Sequence, residues 1–400
     1  MSNFKLVFDI EADGLDPNNV WCIVAKEVSG GIHKFDNTQI EEGIEFLQTA
    51  DTLIGHNIIG YDMPVLEKLY GATFDCNIED TLVMSRLFNP VRENGHSLKA
   101  WGWRVGSLKQ QQPETFDEYT PAMLDYCVQD VKLNEAVYHY LLREGNVFSD
   151  ESIRLEHDVA KIMKEQEKTG FFFNTKQAME LLAELKAKQI AVEDEVHSTF
   201  KPKLVDDKLV TPYIRKDGEL SKRGLTDEEY NKCITTQNMN PFMRQKLVDF
   251  NLGSRKQIGE YLIDFGWKPV KFTPTKQPIV DEGTLKKIEH IKEAKLIADF
   301  LLYQKRIAQV TSWIDELKED RVHGSVIPNG TITGRMTHRN PNMAQVPNAG
   351  SPYGKECRSC WTVPKGRKLV GIDASGLELR MLAHYMNDPD YIEVVLPVVV

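Results

Sequence analysis

Short apolar runs alternate with helix-like stretches over the first 150 residues. The apolar runs predict strands over residues 4–8, 21–28 and 32–35. Apolar residues that recur at helical spacing predict helices at about residues 39–49, 62–70, 79–88 and 120–142, with glycine- and asparagine-containing turns between them. This alternation predicts an α/β domain around a mixed sheet, whose first strand ends at Asp9.

The pattern becomes helical after residue 150. Helical spacing predicts helices over residues 152–168, from Asn174 to about residue 200, and over 285–317. Residues 201–250 lose this periodicity and carry lysine, aspartate, glycine and proline turns, which predicts an insertion or an extended loop region. After His323 the residue pattern is typical of strands and turns. It predicts a strand over 369–372 and a helix over 377–386.

Composition excludes several classes of protein. No stretch approaches the roughly 18–20 uninterrupted apolar residues of a membrane span, and the first residues lack the apolar core of a signal peptide. The six cysteines are too few for a disulfide framework in 400 residues. We therefore expect a soluble, cytoplasmic protein with no membrane partner.

The charge is distributed unevenly along the chain. The net charge is −10 overall, with −12 over residues 1–140, +2 over residues 141–400 and +6 within residues 321–380. A carboxylate-rich site at one end and a polyanion-facing surface at the other would produce this asymmetry. Solvated faces that simply differ in composition would produce it as well, so both interpretations stay open.

The first domain carries acids in positions suited to metal binding. Asp9 and Glu11 share one face of a predicted strand end, and two such carboxylates repel unless a cation lies between them. Asp62 opens a predicted helix, as either a helix cap or a ligand. Tyr126 and Asp130 lie one turn apart on another predicted helix. Each pattern is common alone, but the ordered set within about 125 residues is not.

This ordered set resembles the Exo I, II and III motifs of 3′→5′ proofreading exonucleases with a ribonuclease-H-like fold. The resemblance implies that Asp9, Glu11, Asp62 and Asp130 hold two Mg²⁺ ions, and that Tyr126 helps to orient the attacking water. Hydrolysis would then use one ion to lower the pKa of a bound water and the other to stabilise the leaving 3′ oxygen.

A second set of motifs lies in the last eighty residues. The segment 371–380 reads GIDASGLELR, and the segment 331–335 reads TITGR and precedes Pro341–Asn342. Taken alone, the second segment is either a polar turn with an incidental arginine or a phosphate contact, in which Gly334 lets the backbone approach closely and Arg335 offers its donors. Together they resemble motif A and the preceding primer–template contact segment of family A DNA polymerases. The resemblance implies metal ligation by Asp373, packing of Glu378 against the nucleotide sugar, and DNA or nucleotide contacts from Arg335, Arg380 and His323.

The chain in order resembles the replicative DNA polymerases of short-tailed phages. This implies a 3′→5′ exonuclease domain over residues 1–150, a largely helical thumb over 151–322 with an insertion at about 201–250, and the first, incomplete part of a polymerase palm over 323–400. The implied partners are primer–template DNA, single-stranded 3′ ends and, for the complete enzyme, dNTPs.

Two departures from the family change the expected activity. The insertion is short and of different composition from the one that binds thioredoxin in this phage group, so we do not expect a thioredoxin-type processivity factor. No match to the fingers or to a second palm aspartate follows Arg380, and residues 392–400 are almost wholly apolar. We expect a truncated polymerase or one part of a split polymerase that docks on a second chain, competent in exonuclease but incomplete in its polymerase site. A DNA-binding polymerase fragment and a stand-alone exonuclease are the alternatives.

Overall fold

A five-stranded mixed sheet forms from the apolar runs near the start of the chain. The computed structural model describes residues 4–28, 30–107 and 115–395. The strands of this sheet are β1 Lys5–Ala12, β2 Val20–Glu27, β3 Ile32–Phe35, β4 Thr52–Gly55 and β5 Asn77–Asp80. Their order is β3-β2-β1-β4-β5, and β1 pairs antiparallel with β2 but parallel with β4. The predicted mixed α/β fold of this region is confirmed.

Helices cover both faces of the sheet. They are α1 Ile40–Leu47, α2 Asp62–Tyr70, α3 Thr81–Phe88, α4 Leu98–Val105, α5 Pro121–Glu144 and α6 Asp150–Thr169. Alternation along β1 sends Leu6, Phe8 and Ile10 into the core shared with α1 and α2. The opposite face belongs to a second core, which includes Val7 of β1 and Val131 of α5. The odd-numbered positions of β1 therefore face α5.

The sequence prediction was wrong about some boundaries in this region. β1 continues to Ala12 rather than ending at Asp9, because Glu11 pairs with Cys22 and Ala12 with Val20 in the ladder to β2. The helix predicted from residue 79 begins at Thr81, since the two residues before it belong to β5. The helix α4 was not predicted.

Residues 175–315 and 346–358 form a separate compact unit. Its elements are α7 Thr175–Thr199, β7 Lys203–Val210, α8 Asp227–Thr236, β8 Phe242–Val248, α9 Arg255–Asp264, α10 Glu282–Lys287, α11 Lys292–Asp315 and most of α12 Gly354–Ser359. Helices α7 and α11 pack side by side. Apolar side chains from α7, α9 and α11, among them Val196, Ile258 and Ile297, form its core.

Two predictions for this unit were wrong. Residues 201–250 are not an extended loop: β7 and β8 pair antiparallel, and α8 lies between them with a capping box of Thr226 and Glu229. Nearly every side chain of β7 is exposed, so the alternation that marks a half-buried strand is missing from its sequence. The helix predicted over 285–317 is two helices, because the chain turns after Lys287 and buries Ile288 in the core.

The remaining described residues belong to the same unit as the five-stranded sheet. They form β6 Phe171–Phe172, β9 Leu317–Lys318, β10 Arg321–Val322, β11 Ser325–Ile327, β12 Thr337–Arg339, α13 Leu377–Met386 and α14 Pro389–Val395. β11 and β12 form an antiparallel hairpin, and β6, β10 and β9 form a small sheet. The two units are defined by contacts in space, whereas the predicted domains are continuous stretches of sequence. The predicted domain boundaries at residues 150 and 322 therefore stay predictions.

The strand predicted over residues 369–372 is not observed. No described strand pairs with this segment, and Leu369, Val370 and Ile372 are 65%, 78% and 96% exposed. A strand needs a neighbour for its ladder of hydrogen bonds, and apolar character alone does not supply one. The predicted helix over 377–386 is confirmed as α13, whereas α14 was not predicted. Residues 396–400, which end the apolar segment 392–400, lie outside the described residues.

No helix in the described ranges is both long enough and apolar enough to cross a membrane.

Candidate active site

The acids of β1 lie on the face of the strand that packs against α5. One carboxylate oxygen of Asp9, one of Glu11 and the Cys127 Sγ atom all lie within 4.8 Å of one another. The Cys127 thiol donates a hydrogen bond of 3.4 Å to the Asp9 carbonyl oxygen. Glu11 is 9% exposed and Cys127 is fully buried, so this group of ligand atoms is largely shielded from bulk water.

Asp62 lies next to this group and contacts β1. It occupies the first position of α2, and its Oδ1 accepts a hydrogen bond of 3.2 Å from the Ile10 amide. A side-chain hydrogen bond also links it to Asp9. Asp62 therefore bonds to β1 as well as to its own amide. The two interpretations of Asp62, helix cap or ligand, both stay predictions.

Burial controls the charge of Asp62. The pKa of this carboxyl is raised from 3.8 to about 7, mainly because burial removes it from water; amide hydrogen bonds from Asp62 itself and Ile10 oppose the rise, and the nearby Asp80 charge contributes to it. Burial therefore favours the neutral form of this carboxyl more than in an exposed aspartate. A divalent cation bound nearby would lower this pKa by compensating the negative charge.

Helix α5 carries the last two predicted residues of this set. Tyr126 and Asp130 are 3% and 2% exposed and lie one turn apart on the buried face of the helix. This helix packs directly on β1 and β2. The fold thus brings Asp9, Glu11 and Asp62 together at the end of β1 and sets Tyr126 and Asp130 on the helix that covers them.

The sequence analysis did not predict a role for Asp80, a buried acid near this site. The Asp80 carboxylate accepts hydrogen bonds from the amides of Asn57 at 2.9 Å, Ile59 at 3.1 Å and Leu82 at 2.9 Å. It therefore caps α3 and also fixes the loop 56–60 that leads into Asp62. An aspartate before a threonine at a helix start is a capping signal, but the prediction had placed residue 80 inside the helix.

His157 completes the support of Asp80. The Asp80 amide donates a hydrogen bond of 2.8 Å to His157 Nε2, and His157 Nδ1 donates one of 2.8 Å to the Ile153 carbonyl oxygen. Both ring nitrogens are thereby used, and the ring is 3% exposed. This pattern assigns the neutral tautomer with the proton on Nδ1.

The acids predicted in the last eighty residues are arranged differently. Asp373 is exposed, and within the described residues it belongs to no group of three potential metal ligands. Arg335 and Glu378, which are 43 positions apart, form an ion pair of 2.5 Å whose side chains are 73% and 83% exposed. The structure therefore brings Arg335 and Glu378 together across 43 positions of sequence.

The two remaining predicted residues make local contacts. Arg380 Nε donates a hydrogen bond of 2.9 Å to the Ser375 carbonyl oxygen. His323 Nδ1 donates one of 2.8 Å to the Glu167 carbonyl oxygen in the last turn of α6. His323 thus connects the start of the third predicted region to α6.

A solved structure shares this fold. The POL domain of Pol1 from M. smegmatis, in complex with DNA primer-template and dNTP, superposes with a TM-score of 0.69 at 15% identity and covers 97% of this chain and 60% of its own. At that identity the match shows the fold alone. The chain has a mixed α/β fold that resembles a DNA polymerase domain.

Proteins of similar sequence identify the family of polymerases to which the chain belongs. The family model "DNA polymerase family A" matches residues 226–396. The DNA-directed DNA polymerase of Enterobacteria phage T3 is 32% identical over 95% of this chain and 69% of its own length. That of Escherichia phage T7 is 31% identical over 84% of this chain and 62% of its own length. The chain belongs to DNA polymerase family A, and its match spans less than two thirds of the phage T7 protein.

Proposed function

We propose that this chain is a 3′→5′ exonuclease for DNA and the proofreading part of a family A polymerase that replicates phage DNA in the host cytoplasm. The observation that carries the proposal is the convergence of Asp9, Glu11 and Asp62 at the end of β1, beneath the helix that bears Tyr126 and Asp130. The proposed arrangement is a ribonuclease-H-like domain over residues 1–150, a thumb over 151–322 and the start of a palm over 323–400.

The donor set fits hard divalent cations. Asp9 and Glu11 each present an oxygen within a 4.8 Å group, and carboxylate oxygens are the ligands that Mg²⁺ prefers. The raised pKa of Asp62 supports the fit, because the site retains a proton when no cation compensates its charge. We propose that Asp9, Glu11, Asp62 and Asp130 would hold two Mg²⁺ ions. When bound, such ions supply a more acidic water and stabilisation of the leaving oxygen.

The side chains of the chain itself position the reaction. Tyr126 would orient the attacking water through its phenol, and the packing of α5 on β1 buries this side chain. Asp80 would act only through the backbone, because its carboxylate is occupied by three amides of the loop and of α3. Burial of Glu11 and Asp62 would exclude water other than the reactant.

Polymerisation is proposed for the whole protein of which this chain spans a part. The names of the phage relatives state DNA-directed polymerisation. In this proposal Asp373 would bind a catalytic metal and Glu378 would pack against the nucleotide sugar, while Arg335, Arg380 and His323 would contact DNA or nucleotide. Before it contacts DNA, Arg335 would break its ion pair with Glu378. An ion pair this exposed is worth about 0–1 kcal/mol, so primer–template phosphates could displace it.

A nuclease assay on the full chain tests the exonuclease proposal. The substrates are 5′-labelled single-stranded DNA and a primer–template, with Mg²⁺ and with or without dNTPs. Because loss of a ligand removes several kcal/mol of charge stabilisation, we expect Asp9→Ala to slow cleavage at least about 100-fold. Asp16→Ala is the control, since Asp16 is an exposed acid that pairs with Lys68 outside the cluster. An Asp9→Ala variant that degrades DNA at the parental rate would contradict the proposal.

A further inference from the structure

Helix α5 places a thiol beside the acids of β1. Cys127 lies three positions before Asp130, so the two residues share one face of the helix. Among the residues that the structure describes, Asp9, Glu11 and Cys127 are the one group of three side chains whose ligand atoms could hold a metal ion together. The group therefore combines two carboxylates from a strand with a sulfur from the helix that covers it.

A second thiol lies next to Cys127. The ladder between β1 and β2 pairs Cys22 with Glu11, and both Cys22 and Cys127 belong to the core between the sheet and α5. A side-chain hydrogen bond links the two thiols, and both residues are fully buried. The acid cluster thus borders a buried pair of thiols rather than a single cysteine.

The spacing of the ligand atoms suits a tetrahedral ion that binds both sulfur and oxygen. The Cys127 Sγ atom lies 4.0 Å from Asp9 Oδ2. A tetrahedral Zn²⁺ ion, with bonds of about 2.3 Å to sulfur and about 2.1 Å to oxygen, holds these two atoms about 3.6 Å apart. Small side-chain adjustments would close the difference of about 0.4 Å and leave the fourth position of the ion open to water.

The sulfur decides which cations this group prefers. Mg²⁺ is a hard ion that takes oxygen ligands, so a thiol adds nothing to its binding. Zn²⁺ accepts both thiolate and carboxylate ligands, and a thiolate raises its affinity relative to that of Mg²⁺. Burial raises the pKa of the Cys127 thiol, so the metal-free site holds a neutral thiol, and an ion that binds the sulfur releases this proton to solvent.

We infer that Cys127 is a metal ligand of the acid cluster, and that Asp9, Glu11 and Cys127 together bind a thiophilic divalent cation such as Zn²⁺ in preference to Mg²⁺. The ligand assignment rests on the contacts of these three residues. It depends on the proposed exonuclease function in one respect, namely that the same two carboxylates would hold Mg²⁺ during cleavage.

Absorption by the Co²⁺-loaded protein tests the ligand assignment without turnover. Co²⁺ takes the same ligands as Zn²⁺ and gives a near-ultraviolet charge-transfer band when a thiolate is bound to it. The full chain is stripped of metal with EDTA, dialysed, and titrated with Co²⁺ in buffer that contains no thiol reductant. We expect the parent to develop this band. Zn²⁺ should then remove it by displacement, and Mg²⁺ at the same concentration should not.

Four variants locate the band. Loss of an outer-shell partner alone costs about 10–100-fold in metal affinity, so Cys127→Ser should abolish the band and weaken Zn²⁺ binding at least about 100-fold. Asp9→Asn should weaken the same band, because Asp9 supplies an oxygen of the group. Cys22→Ser should keep it, because Cys22 is not one of the three ligands. Cys76→Ser is the matched control, since Cys76 packs against the core on the other face of the sheet.

Several results would overturn the inference. They are the absence of a band in the parent, a parental band in Cys127→Ser, a band that depends on Cys22 instead, and displacement by Mg²⁺ as readily as by Zn²⁺. Cys127→Ala is the second variant, and melting curves verify that the variants fold. If the band is present and Cys127→Ser abolishes it, but the parent fails to cleave DNA with Mg²⁺, the thiolate site stands and the proposed exonuclease is wrong.

Discussion

Replacing Asp62 with asparagine should stabilise the metal-free protein at neutral and alkaline pH. Asparagine keeps an oxygen that can accept the Ile10 amide hydrogen bond, but it carries no charge. The parent must either bury a charge at this position or keep a proton there. The variant has neither requirement, so the stability difference measures the electrostatic cost of burying this acid in the presence of EDTA.

The expected size follows from the two pKa values of Asp62. The carboxyl releases its proton near 3.8 in the unfolded chain and near 7 in the folded protein. Each pKa unit is worth 1.36 kcal/mol, which gives a ceiling of about 4 kcal/mol. Because the folded pKa is raised, the parent loses stability as pH rises from about 4 to about 7 and then stays level. The buried Asp80 also has a raised pKa, and its charge is one cause of the raised pKa of Asp62, so part of the difference in stability belongs to this pair of acids.

Amide hydrogen exchange of β1 and α2 in EDTA is the appropriate assay, because the chain forms two units and one global transition is not assured. Protection of the Asp62→Asn variant should match the parent at about pH 4 and exceed it at about pH 8, after correction for intrinsic rates. Glu45→Gln changes an exposed acid on α1 and is the control. Equal protection of parent and Asp62→Asn at the higher pH would refute the reasoning. Added Mg²⁺ should restore protection in the parent and have less effect on the variant.

Two further predictions concern contacts outside the acid cluster. His157→Ala leaves the buried Asp80 amide without its acceptor, and it should destabilise β5 by about 1–3 kcal/mol, measured as faster amide exchange. Arg306→Met removes the donor to the Pro352 carbonyl oxygen at 3.2 Å, and it should accelerate limited proteolysis next to Pro352. The neighbouring Lys305→Met should not, because Lys305 is exposed. If the variants exchange or are cleaved at the same rates as the parent, these contacts do not stabilise the protein as expected.

The acid-bearing strand was predictable because its pattern is strictly local. Alternation places Leu6, Phe8 and Ile10 in one core, and this fixes Asp9 and Glu11 on the opposite face wherever the strand ends. The helical spacing of α2 and α5 is equally local, since each buries one stripe of side chains. Periodicity therefore positioned the predicted ligands before any contact was known.

Patterns of burial that need distant partners were not predictable. The ribbon of β7 and β8 exposes both faces and shows no alternation. The opposite error occurred at residues 369–372, where apolar character predicted a strand that has no described neighbour. Cys127 lies beside Asp9 across 118 positions of sequence, and nothing in its local pattern indicates that contact. Exposure of a segment and proximity of remote residues are both properties of the tertiary fold.

Asp80 shows why the motif residues alone do not define this site. It bonds to the amides of Asn57 and Ile59, so it sets the shape of the loop that leads into Asp62. A change at Asp80 would therefore move a proposed metal ligand. His157→Ala weakens the same support without touching that ligand. If DNA cleavage with Mg²⁺ falls in a folded His157→Ala variant, the loop positions the acids, and a parental cleavage rate would contradict this role of Asp80.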